Sequence, residues 1–178
     1  MVGPVLVVDD NADVLHAARL ALAPHVERIE LRNSPESLED TVRSDRYDVV
    51  VLDMNFVAGE HQGVEGLNQL ARIRAADQTV SVVLITAFGG VALAVDALKQ
   101  GAADFLLKPW RNEKLVSAVI AAADRTRALR RDALPLERLE RDAIHRALGQ
   151  AGNNIAHAAK SLGVSRQALY RKMARHGL

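Results

Sequence analysis

The first 122 residues repeat a two-part pattern. A short apolar run, rich in β-branched residues, is followed by a longer stretch with apolar residues three or four positions apart. The runs at 5–8, 29–31, 49–52, 81–85 and 105–107 predict strands. The stretches 12–22, 35–43, 66–75 and 91–100 predict helices, the fourth ending at Gly101, and a fifth helix starts near Asn112. Five strand–helix repeats predict a doubly wound parallel sheet covered by helices on both faces. Beyond residue 112 the strand pattern stops. The fifth helix meets no Gly or Pro before Pro135, which can begin a new helix. From Leu136 onward the periodicity is entirely helical. The fold expected is α/β plus all-α: a (βα)5 unit over 1–122, a helical linker over 123–136 and a small helical unit over 137–178.

In open parallel sheets ligands sit beyond the carboxyl ends of the strands. The residues that follow each strand are therefore informative. The first run, "PVLVVDDN", stops on Asp9 and Asp10; the third, "VVVLDMN", on Asp53; the fourth, "VVLITAFGG", on Thr86; the fifth, "DFLLKPW", on Lys108. A single Asp after a strand is commonly a turn former or helix cap. Three carboxylates, a hydroxyl and an ammonium at one sheet edge are a different matter. The carboxylates repel one another unless they share a cation, and oxygen ligands of this kind suit a hard divalent ion, Mg²⁺. With no Cys or His at the strand ends, zinc is disfavoured.

The charge balance adds a second module. The net charge of +1 divides into 17 acidic and 11 basic residues in 1–122, against 5 acidic and 12 basic in 123–178. No acidic residue follows Asp142. An acidic front and a basic tail imply different partners. The absence of Cys excludes disulfides. No segment has the apolar length of a membrane helix and no leader precedes the first strand, so a soluble, cytoplasmic protein is expected.

Residues 1–122 resemble the receiver domain of two-component response regulators, and "LDMNF…EGL…LITAFG…DFLLKPW" looks most like receivers of sigma-54-dependent activators. The resemblance implies that Asp53 is the phosphoacceptor. It implies Mg²⁺ held by Asp10 and Asp53 side chains, by Asp9 through water and by the Asn55 carbonyl. Thr86 and Lys108 would contact the phosphoryl group, Lys108–Pro109 would be cis, and Phe105 would be the aromatic switch. A sensor histidine kinase is then the implied phosphodonor. One departure is the segment "NFVAGEHQGVEG". Val57 and His61 stand where receivers usually carry Pro and Gly, and the matching Gly–Leu pair is Gly66–Leu67, about five residues late. His61 reads as a solvated loop residue.

The tail "NNIAHAAKSLGVSRQALYRKMARHGL" has the spacing of a helix-turn-helix. Ala159 permits close helix approach, Gly163 takes the turn, and Leu162, Val164 and Leu169 form a small core. Ser165 caps the second helix, whose outer face carries Arg166, Gln167, Tyr170 and Arg171, with Lys172 and Arg175 toward phosphates. This stretch resembles the Fis-type helix-turn-helix at the ends of sigma-54 activators. No GxxxxGK[ST] loop occurs, so the ATPase domain of those activators is not expected. A receiver joined directly to a Fis-type unit is similar to the global redox and photosynthesis regulators of proteobacteria. The expected function is a non-enzymatic, phosphorylation-activated regulator of transcription that binds duplex DNA, with phosphorylation favouring a homodimer. The alternative is a phosphorelay or signalling protein that acts through protein contacts, its tail serving dimerisation.

Overall fold

The computed structural model describes residues 1–56, 64–87 and 90–178, and of 64 and 132–138 the backbone alone. The unusual loop with Val57 and His61 lies outside the described residues. The chain divides into two compact units, Met1–Leu129 and Arg130–Leu178.

The first unit alternates β1 (Val5–Val8), α1 (Ala12–Leu22), β2 (Ile29–Arg32), α2 (Leu38–Ser44), β3 (Val49–Asp53), α3 (Val64–Ala76), β4 (Ser81–Thr86), α4 (Val91–Lys99), β5 (Asp104–Leu107) and the start of α5 (Asn112–Gln150). All strands pair in parallel, in the order β2-β1-β3-β4-β5. The two-residue period divides the apolar side chains between two layers. Val5, Val7, Val49, Val51, Val83 and Ile85 point to one face, where Leu15, Ala18 and Leu22 of α1 and Leu115, Val119 and Ala123 of α5 cover them. Leu6, Val8, Val50, Leu52, Val82 and Leu84 point to the other, under Leu38, Val42, Leu70, Ile73 and Ala97. Burial on both faces is why β1, β3 and β4 read as unbroken apolar runs. The edge strand β2 is only half-buried along its length, which explains its weak pattern.

Two boundaries differ from the pattern by more than two residues. The second helix begins at Leu38 rather than at Pro35, because Ser37 takes φ 54° and holds the preceding turn out of the helix. The fifth helix continues through Pro135, where a new helix was expected to begin. Proline's φ near −65° is compatible with helical backbone. α5 is also tied to the sheet. Buried Thr126 donates to the Asp48 carbonyl at 2.7 Å and accepts from the Ser81 N–H at 2.9 Å, joining the helix to the starts of β3 and β4.

The second unit packs the end of α5 with α6 (Ile155–Ser161) and α7 (Arg166–His176). Its core is Ile144, Ala147, Ala158, Ala159 and Leu169, with Leu162, Val164 and Met173 against it. Asn154 caps α6 and Ser165 caps α7, accepting from Ala168 N–H at 3.1 Å. Gly163 turns between them at φ 67°, a conformation that disfavours other side chains.

Candidate phosphoryl site and recognition helix

The parallel register carries the strand-end residues to one edge. Val8 lies beside Leu52, so Asp9 and Asp53 emerge from neighbouring strands; Asp53 pairs with Ile85, and Thr86 with Leu107. Asp9 and Asp53 are buried and Asp10 is exposed. One carboxylate oxygen of each of the three lies within 4.8 Å of the others. Lys108 Nζ sits 2.5 Å from Asp9 Oδ2 and 3.0 Å from Asp53 Oδ1. The peptide bond from Lys108 to Pro109 is cis. Asp9 Oδ1 accepts the Asn11 N–H at 3.0 Å, while Asn11 caps α1.

Burial pushes the carboxyls of both Asp9 and Asp53 above the usual 3.8, and the Lys108 ammonium opposes that rise. One ammonium against three carboxylates leaves the cluster electron-rich. Apart from Lys108, Asp9 Oδ2 and Asp53 Oδ1 have no partner among the described residues, though both are buried. Buried carboxylate oxygens without enough donors suit a hard divalent cation with oxygen ligands, so the donor set fits Mg²⁺.

Asn55 also uses its side chain. Its Nδ2 donates to Thr86 Oγ1 at 3.0 Å, joining the β3 and β4 ends. The family resemblance implied a role only for its carbonyl, and a contact across 31 positions leaves no mark in local spacing. Gly66 has a steric role here. A Cβ on it would lie 2.5 Å from the Met54 Cα, and its N–H donates to the Met54 carbonyl at 3.1 Å. The start of α3 is thereby seated on the residue after Asp53. Phe105 on β5 is half-buried against the core layer that includes Ala97 of α4.

In the second unit Arg166, Gln167, Tyr170 and Arg171 are exposed on α7, while Leu169 is buried and Met173 half-buried. The face expected to read DNA is therefore open within its own unit. Ser165 is exposed at the N-terminus of α7, and Arg175 is exposed near its end. Lys172 is turned differently: its ammonium pairs with Glu140 of α5. No helix among the described residues is long and apolar enough to cross a membrane.

Two known families match the chain. The response regulator receiver domain matches residues 5–120, and the bacterial regulatory protein family of Fis type matches 135–176. The alginate biosynthesis transcriptional regulatory protein AlgB of Pseudomonas putida is 33% identical over 113 residues, which are 64% of this chain and 24% of that protein. The chain thus spans about a quarter of AlgB's length. The photosynthetic apparatus regulatory protein RegA of Rhodobacter capsulatus is 25% identical over 171 residues, 96% of this chain and 90% of RegA. Among solved structures, the receiver domain of a response regulator from Bacteroides fragilis is similar at 40% identity and TM-score 0.61, over 69% of this chain and 98% of that one.

Proposed function

The chain belongs to the response regulator receiver family, and from that premise we propose that it is a phosphorylation-controlled regulator of transcription in a two-component system. The reading rests on one observation above others: Asp53, at the end of a central strand, shares an acidic cluster with buried Asp9 and exposed Asp10 and is touched by Lys108. The domain division that goes with it is a receiver over 1–122, a linker over 123–136 and a Fis-type DNA-binding domain over 137–178.

In this reading Asp53 is the nucleophile toward a phosphohistidine on a sensor histidine kinase. A carboxylate oxygen forms the new bond to phosphorus, the phosphorus–nitrogen bond breaks, and the imidazole leaves with the electron pair. Asp9, Asp10, Asp53 and the Asn55 carbonyl would hold Mg²⁺, which supplies charge neutralisation at the transferring oxygens. Lys108, already between Asp9 and Asp53, adds a fixed positive charge at the same place. The Thr86 hydroxyl exchanges its Asn55 contact for the phosphoryl oxygens, and Phe105 rotates toward the space it leaves. The surface of α4, β5 and α5 changes as a result and favours a homodimer.

The output is contact with duplex DNA. Arg166, Gln167, Tyr170 and Arg171 are the residues for base edges, with Ser165 and Arg175 at the flanking phosphates. The near-full-length similarity to RegA supports a receiver joined directly to a Fis-type unit. A cytoplasmic location follows from this function.

The first test is chemical. Incubation with acetyl phosphate and Mg²⁺ should give an acid-labile, hydroxylamine-sensitive phosphate on the wild type and none on Asp53→Asn. Uptake that survives Asp53→Asn would overturn the phosphoacceptor assignment. Salt-dependent binding to duplex DNA separates a transcription regulator from a protein that works through protein contacts alone, because phosphate contacts release counterions.

A further inference from the structure

The second unit contains one carboxylate that serves two groups of the same helix. Glu140, on the part of α5 in this unit, pairs with the Lys172 ammonium, and its Oε2 lies 2.8 Å from His176 Nε2. Lys172 and His176 are four residues apart on α7, so both reach one point from the same edge of the helix. The His176 side chain is only 8% exposed, while the Lys172 and Glu140 side chains remain partly exposed. Together the two partners hold the Glu140 carboxyl far down, at about 2. Arg166 and Arg171, nearer the start of α7, are exposed. No acidic residue follows Asp142, so the chain beyond it offers no other carboxylate side chain for Lys172.

We propose that Glu140 is a positioning residue of the DNA-binding unit: its carboxylate clamps the C-terminal half of α7 to α5 and keeps the Lys172 ammonium off DNA phosphates. The proposal rests on the DNA-binding reading above and deepens it. A lysine held by a carboxylate of its own protein displaces no counterion from DNA, so Lys172 does not contribute to the salt dependence of binding. Clamping at Lys172 and His176 also fixes the tilt of α7 at one end, while Leu169 anchors the helix near its other end. The side chains at 166, 167, 170 and 171 are then presented at a set angle. Removing the clamp should therefore raise general affinity for DNA and reduce discrimination between sequences.

The test uses the full chain and a random-sequence duplex as probe, with two readouts. In the absence of DNA, acylation of Lys172 by an amine-reactive reagent, followed by peptide mass mapping, should be several-fold faster in Glu140→Gln than in the wild type. In salt titrations the slope of log K against log [salt] should steepen by about 0.9 in Glu140→Gln and return to the wild-type value in Glu140→Gln/Lys172→Ala. Lys172→Ala alone should leave the wild-type slope unchanged. This variant keeps the test decisive even if Glu140→Gln unfolds the unit, because it retains Glu140. Equal acylation rates, or a slope that flattens by about one unit in Lys172→Ala alone, would overturn the proposal. If the wild type bound no duplex at any salt concentration, the DNA reading would fail and this proposal with it. The acylation contrast would then still report the Glu140–Lys172 pairing.

Discussion

At Asp9 and Asp53 desolvation outweighs the help of a neighbouring lysine. Both carboxyls sit above their usual 3.8, with burial as the largest cause. A carboxyl whose folded value is raised contributes stability below the unfolded value, and that contribution is lost as pH rises through the folded one. At neutral pH the receiver without cation therefore holds these ionised groups at a cost. Asp53→Asn should raise the melting temperature of the cation-free protein at pH 7, and a lower melting temperature would contradict this account. Mg²⁺ should stabilise the wild type by about 1.4 kcal/mol at tenfold its Kd. Protons compete for the same oxygens, so this gain should shrink as pH falls toward the raised values and disappear on chelation. Calorimetry at several pH values measures both effects.

Among the secondary-structure elements, the junctions carry the sharpest expectations. Replacing glycine by alanine in a helix ordinarily stabilises by up to about 1 kcal/mol. At Gly66 the new Cβ would meet backbone, the Met54 Cα at 2.5 Å, and overpacking of that kind costs about 1–3 kcal/mol. The clash should win, so Gly66→Ala should lower the denaturation midpoint. Because Met54 follows Asp53, it should also slow phosphorylation from acetyl phosphate. For α7, binding-site selection should separate two kinds of contact. Arg166→Ala should cost about 1–3 kcal/mol and relax preference at one base pair. Arg175→Ala should weaken binding to all sequences alike and flatten the salt slope by about one unit. If Arg175→Ala changed the preferred sequence and Arg166→Ala did not, the orientation assigned to α7 in the groove would be wrong.

For the whole molecule, the receiver displays apolar side chains on the face that phosphorylation would reshape. Val91, Val95 and Leu98 of α4 and Leu107 of β5 are all exposed, Val91 to 84%. Covering them offers hydrophobic stabilisation to a second copy. Sedimentation with beryllofluoride and Mg²⁺ should show a shift from monomer toward dimer, and Val91→Asp should oppose it. An unchanged mass across a wide concentration range would remove phosphorylation from control of assembly.

Local pattern alone determined the strand runs, the residues that follow four of them, and the Ser165 cap and Gly163 turn of the helix-turn-helix. Side-chain period, strand length and the chemistry of Ser165 or Gly163 are properties of a few consecutive residues, so they are written where they act. That is why Asp9, Asp53, Thr86 and Lys108 are legible as strand-end residues in the sequence itself. Which groups those residues then meet was a matter for the tertiary structure. Lys108 bridging two carboxylates, Asn55 reaching Thr86, Thr126 joining Asp48 across 78 positions and Lys172 turning to Glu140 across 32 are contacts between distant segments. No period or spacing encodes them. They exist because closing the sheet and packing the helices brings particular side chains within bonding distance, and a buried polar group takes the partner that the fold leaves within reach.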